Sequence, residues 1–178
     1  LQINNPLGVT LQSNLTPSGP VSFLAGRVTT GANTLIIPST SSVSGAGVSS
    51  GWVAGNLRRN FAAGASSRVF DVGDATVYAP LTVAMTGAVS AFDATGNTTT
   101  LDHPNLGTSD LDAARTVNRF WTLTPTGSPT ITSFDATFAY DAADVDAGAV
   151  PANFVLRRFA SGSWSALTAG TLTATTTS

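Results

Sequence analysis

Neither lysine nor glutamate occurs in this 178-residue chain: all eight basic side chains are arginine and all ten acidic ones are aspartate. Lys and Glu normally fill the solvent side of helices, because their unbranched chains lose little freedom there. Thr, Ser, Val, Gly and Asn stand in their place, and branching at Cβ or local backbone hydrogen bonding turns these toward strands and turns. The chain is therefore expected to be all-β. Zero Cys excludes disulfide staples and thiolate metal sites and leaves the redox compartment open. The 42% apolar content comes in short runs, none long enough for a spanning helix. With 10% charged residues and a net charge of -2, there is no electrostatic reason to bind nucleic acid.

Strand-like runs closed by Gly, Asn or Pro follow one another along the whole text. From Leu1 to about Thr40 they form a loose repeat, LQINNPLGVTL, PVSFLAGRVTTG, ANTLIIPST, followed by the Gly/Ser tract SSVSGAGVSSG. Runs resume with WVAGNLRRNF, SRVFDVG, VYAPLTVAM and SAFDATG, and after a polar stretch with TVNRFWTLTP, TITSFDATFAYD, FVLRRFA and SWSALTAGTLTAT. This spacing is that of a β-sandwich. In TITSFDATFAYD the inward set is Phe134, Ala136, Phe138 and Tyr140. In TVNRFWTL, Arg119 shares a face with Trp121, so it is expected near a sheet edge or paired with an Asp. The buried core is expected from Phe70, Val83, Trp121, Leu123, Phe134, Phe138, Tyr140 and Leu156. One helical turn is expected in SDLDAARTV, capped by Ser109. The expected organisation is residues 1–13 as a separate N-terminal strand, 14–50 as a strand-rich segment, and 51–178 as the sandwich, joined or not to 14–50.

NRFWTL, FAYDAADVDAG and NFVLRRFASGSWSAL together resemble the C-terminal module of large secreted surface proteins from Bacteroidetes-type bacteria. VTTGANTLII, VAGNLRRNF and FDVGDATVYAPLTV resemble the solenoid-like part upstream of that module. The resemblance implies an immunoglobulin-like sandwich, an extracellular or cell-surface location, and no catalytic residues. A chain starting on a strand at Leu1 reads as a mature one whose targeting segment has been removed.

Candidate chemistry is sparse. GVSSG, Gly47 to Gly51, matches the G-x-S-x-G string with Ser49 as nucleophile, but that elbow needs a strand before it and a helix after it. A Gly/Ser tract precedes Ser49, WVAGNL follows, and the only histidine available as base is His103. No enzyme is expected. Asp141, Asp144 and Asp146 in YDAADVDAG are spaced to wrap a hard cation such as calcium, or else form an acidic turn that accepts its own backbone N–H groups. No other cofactor is expected. Asn14 and Asn97 lie in the sequons NLT and NTT, so glycan attachment is carried as an option at two expected turns. Trp52, Trp121 and Trp164 read as core aromatics ahead of a sugar platform. The adjacent pairs Arg58–Arg59 and Arg157–Arg158 point to opposite faces of their strands and are expected to bridge Asp residues.

The opening strand raises the question of its partner. Leu1, Ile3, Leu7, Val9 and Leu11 alternate with polar residues, the pattern of a half-buried strand. Such a strand at a chain terminus needs a partner to be ordered. One partner is the open groove of an incomplete immunoglobulin-like sandwich in a neighbouring subunit, the donor-strand mode of pilus assembly. That contact is head-to-tail and builds an open helical or linear polymer. Pro6 interrupts the ladder and splits the donor into Leu1 to Asn4 and Leu7 to Gln12. The other partner lies within the chain, with Leu1 to Leu11 as the first rung of a solenoid formed with VSFLAG and TLIIP. The function expected is a structural fibril or pilus-like homopolymer subunit. The alternative is a carbohydrate-binding or adhesin module of a larger surface protein.

Overall fold

The computed structural model describes all 178 residues and contains no α-helix. The Gly-closed runs of the first part stack as rungs of a solenoid. The first rung holds β1 (Gln2–Asn4) and β2 (Val9–Thr10), the second β3 (Val21–Ala25) and β4 (Val28–Ile37), the third β5 (Val43–Ser44) and β6 (Val53–Phe61). Each rung gives one strand to a parallel stack β1-β3-β5 and one to a second parallel stack, β2-β4-β6, in which β6 also pairs with the later strand β8 (Val72–Gly73). Equivalent apolar positions therefore superimpose: Val9 lies beside Val28, Val28 beside Val53, and Val53 beside Val72. The last three are almost fully buried. Glycine forms the corners of this stack. A Cβ on Gly26 (φ +88°) would lie 1.7 Å from the Asn5 carbonyl oxygen, and one on Gly51 (φ +121°) 1.9 Å from the Gly26 carbonyl oxygen. No other residue fits between rungs this close.

From β6 onward the pairing becomes antiparallel. Its Leu57 to Phe61 segment pairs with β10 (Phe92–Thr100), which pairs in turn with β11 (Arg119–Pro125). Opposite them lies a second antiparallel sheet of β7 (Ser66–Phe70), β9 (Leu81–Ala88), β12 (Ile131–Ala139) and the two-residue β15 (Thr176–Thr177). A hairpin of β13 (Leu156–Ala160) and β14 (Ser163–Leu167) forms a separate two-stranded sheet. The arrangement is sandwich-like on one side: Phe61 stacks on Phe92 at 5.2 Å and reaches Phe70 of the facing sheet at 6.1 Å. One core of 18 buried residues runs from Ile3 to Ala94, and the sheet β2-β4-β6-β10-β11 crosses both residues 13–14 and 50–51.

The partner of the opening strand lies in the same molecule. β1 runs parallel to β3, with Gln2 beside Ser22 and Ile3 beside Phe23, and Leu11 N–H bonds the Thr29 carbonyl at 2.9 Å. Within the single chain the arm is thus the first rung of the solenoid, and its five apolar residues do not form one buried alternating face. Only Ile3 (3% exposed) and Leu11 (9%) are buried, whereas Leu1 (49%), Leu7 (96%) and Val9 (39%) are not. The physical reason is a turn. Leu7 N–H bonds the Asn5 side-chain oxygen and Gly8 N–H bonds the Asn5 carbonyl, with Gly8 at φ +81°, so the chain reverses at Pro6 and the alternation breaks.

Three further expectations need correction. Ser109 caps no helix; it ends a three-residue 3-10 turn, Leu106–Thr108, and its hydroxyl donates to the Leu106 carbonyl. Phe134 is not core: its ring is 40% exposed. Asn97 lies in the middle of β10, not in a turn. Of the other core candidates, Phe70, Val83 and Tyr140 are buried, while Trp121, Leu123, Phe138 and Leu156 are half-buried.

Candidate functional site

β11 and β12 are the last long strands of their respective sheets, and between them the sandwich does not close. A groove of about 750 Å³ runs there. Trp121 and Leu123 line it from β11, Phe134 and Ala136 from β12, and Val83 and Met85 from β9, and the β13–β14 hairpin adds Leu156, Phe159 and Trp164. Sequence alternation places these side chains: the inward set read from TITSFDATFAYD is the groove-facing set of β12. The base of the groove is fixed by Trp121, whose ring packs 5.1 Å from Phe138 and whose Nε1–H donates to the Ala79 carbonyl at 3.0 Å. Trp121 thus tethers β11 to the facing sheet at one point and leaves the rest apart.

The two flanking edges differ. Beside β12, β15 covers only Phe138 and Ala139. From Ile131 to Thr137 the outer edge of β12 carries no strand. On β11, Pro125 has no N–H to offer, and at the other end Arg119 is tied into ion pairs.

The guanidinium of Arg119 is fully buried between two carboxylates, Nη2 at 2.7 Å from Asp74 and Nε at 2.9 Å from Asp144. Desolvation works against its charge, but Asp144 and Asp74 outweigh it and hold its pKa above the ordinary arginine value. Burial alone raises the Asp74 pKa; the Thr76 and Val77 N–H groups, Arg119 and the Thr76 hydroxyl reverse this and bring it down to about 2. The cluster joins the end of the solenoid at Asp74 to β11 and to the acidic turn after β12. It fulfils the expected pairing of Arg119 with an Asp, and nothing in local sequence names Asp74 as one of the partners.

The acidic turn spends its carboxylates on protein donors. Asp141 Oδ1 accepts the Ala143 N–H at 2.8 Å, and Asp144 accepts both Arg119 and the Asp141 N–H. Asp146 accepts the Thr116 N–H at 2.8 Å and the Asn118 side-chain amide at 2.7 Å, which hold its pKa low. No group of three or more His, Cys, Asp or Glu side chains is arranged to hold a metal ion. Of the two readings of Asp141, Asp144 and Asp146, these bonds are those of the acidic turn: Asp141 and Asp144 accept its own N–H groups, and Asp146 reaches across to Thr116 and Asn118.

Ser49 sits in an exposed turn closed by Gly47 and Gly51, with β6 rather than a helix following it. His103 is packed 5.0 Å from each of Phe120, Phe159 and Trp164, where the β13–β14 hairpin meets the loop before β11. The hairpin is fastened there by Arg157, which grips Asp110 with two hydrogen bonds. Trp52 is buried against Tyr78 with Arg27 over its ring, and the half-buried Trp164 packs on Phe159 and His103. Asn97 donates its amide to Asn56 Oδ1 at 2.9 Å, Asn56 to the Asn33 carbonyl, and Asn33 to the Leu11 carbonyl, an amide chain across the rungs. Its amide nitrogen is thereby committed, while Asn14 is exposed and accepts the Thr34 N–H. No helix is long and apolar enough to cross a membrane.

Comparison with family models, with curated proteins and with solved structures returned no match.

Proposed function

We propose that this chain is a non-enzymatic structural subunit of an extracellular fibril or pilus-like homopolymer, assembled by strand exchange. One subunit's N-terminal arm, Leu1 to Gln12, leaves its own solenoid end and enters the β11–β12 groove of the next. The observation that carries this reading is the groove itself, lined mainly by apolar side chains, with Asp110, Arg115 and Arg157 among the charged ones, and flanked by the open outer edge of β12. Open strand edges beside apolar surface are liabilities that proteins cover, and a donated strand covers both at once.

The energetics favour an exchangeable arm. A terminal rung has one neighbour instead of two and is the least costly part of a stack to release. In place, the arm buries only two of its five apolar side chains. Covering Leu7 and Val9 in the groove adds about 1.5–3 kcal/mol for each fully buried side chain. Donor arm and acceptor groove are different surfaces, so the contact is heterologous and repeats head-to-tail.

Electron microscopy of the purified chain, of a version lacking residues 1–12, and of Phe134→Asp tests this. Fibres from the intact chain alone are the expected result. Phe134→Asp guards against misfolding of the truncated chain, because an exposed ring can change without unmaking the core. Monodisperse, folded particles in all three samples overturn the proposal and make retention on glycans the next measurement.

A further inference from the structure

Resting on that reading, we infer the direction and register of the incoming strand: it runs antiparallel to β12, in line with β15, and presents Leu7, Val9 and Leu11 to the groove. Backbone polarity decides which edge receives it. The Ala139 N–H bonds the Pro80 carbonyl on the β9 side, whereas the Tyr140 N–H bonds the Thr175 carbonyl on the outer side. Amide direction alternates along a strand, so Phe138, Ala136 and Phe134 turn their N–H and C=O groups outward. Phe138 meets Thr177 there, and beyond it no strand lies beside Ala136 or Phe134. These same residues point their side chains into the groove. A strand added on this edge both satisfies the four backbone groups of Ala136 and Phe134 and fills the cavity. β11 offers no equal, with Pro125 at one end and the Arg119 ion pairs at the other.

The register of β15 extends to the donor. With Thr177 beside Phe138 in an antiparallel pair, the inward position two residues further along the added strand faces Ala136 and the next faces Phe134. Leu7 opposite the small Ala136 and Val9 opposite Phe134 place Leu11 near Ile131, past the bulge between Ile131 and Phe134. Pro6 then falls at the first position of the inserted strand, where a missing N–H costs no ladder bond. Gly8 and Thr10 face outward beside Asp135 and Ser133. Residues 1–26 contain no charged side chain, which suits them to the apolar β12 side of the groove at Phe134, Ala136 and Phe138.

Disulfide trapping separates the register from the reading beneath it, and the absence of native cysteine removes background thiols. A Thr10→Cys chain is mixed with either Ser133→Cys on β12 or Thr124→Cys on β11, all three positions being exposed. The mixture is oxidised under assembly conditions, and linked peptides are identified by mass spectrometry. The expected result is a link from the Thr10→Cys chain to the Ser133→Cys chain and none to the Thr124→Cys chain. The reverse overturns the register and leaves strand exchange standing, whereas neither link, in chains that remain folded, overturns both.

Discussion

Asp74 is the residue on which the two halves of the molecule meet, and its chemistry makes that junction sensitive to acid. Its carboxyl group is held at about 2 in the folded chain, against roughly 3.9 for an unfolded aspartate. Between those values the unfolded chain binds the proton more readily, so stability falls as pH drops through about 4 to about 2 and is fully present at neutral pH. Urea midpoints measured across that window are expected to fall for the native chain, and to fall less for Asp74→Asn. Equal slopes for both would show that the acid loss resides elsewhere. At neutral pH Asp74→Asn is expected to cost about 1–3 kcal/mol, because Arg119 stays buried with one ion pair fewer. Sequence alone offers Arg119 either a sheet edge or an aspartate partner, because an arginine on the Trp121 face must reach water or be neutralised. The choice of Asp74 is not legible there, since it depends on where β8 ends, far away along the chain.

Strands and turns explain why the opening element is only half legible. Alternation in Leu1 to Leu11 marks strands at Gln2–Asn4 and Val9–Thr10 and the burial of Ile3 and Leu11, but not the exposure of Val9. Asn5-Pro6-Leu7-Gly8 is also a turn signature, with Asn accepting backbone N–H groups, Pro fixing φ and Gly supplying a positive φ. Turn chemistry prevails because it is local and needs no partner, leaving Leu7 outside. The rungs themselves are legible in the recurrence of Gly shortly before Val at Gly8, Gly26 and Gly51. Spacing does not reveal that these glycines touch across rungs. Replacing Gly51 by Ala drives a methyl into the Gly26 carbonyl, a backbone atom that cannot swing aside. A loss of about 1–3 kcal/mol is expected in urea unfolding, whereas Gly107→Ala, with nothing within 4 Å of its added methyl, serves as a near-neutral control. A Gly51→Ala midpoint equal to that control would mean the rungs separate without cost.

The whole molecule presents few cleavable points for its size. With no lysine, trypsin depends on eight arginines. Arg27 lies over Trp52, Arg59 and Arg68 bond strand carbonyls, Arg119 is buried and Arg157 holds Asp110. Arg158 is exposed but held within β13, whereas Arg115, with its side chain 69% exposed, lies in the strand-free stretch between β10 and β11. Limited trypsin digestion is expected to cut first after Arg115 and to leave two fragments that stay associated. An earlier cut after Arg27 or Arg59 would show instead that the solenoid opens first. The all-β class is legible at this scale from residue usage, because composition speaks to every element at once. The solenoid's merging with the sandwich is not, because it depends on one strand, β6, having partners from both.

That shared strand has a mechanical consequence. β6 lies beside β4 along its length, with β8 and then β10 on its other side, so the passage from stacked rungs to facing sheets occurs within a single extended segment. The two parts are therefore joined through the ladders on both sides of one strand and not through a linker. Two globules joined by a tether would swing before they stretched, but this joint behaves as a splint, and tension reaches the Arg119 lock and the rung corners without first being taken up by a hinge.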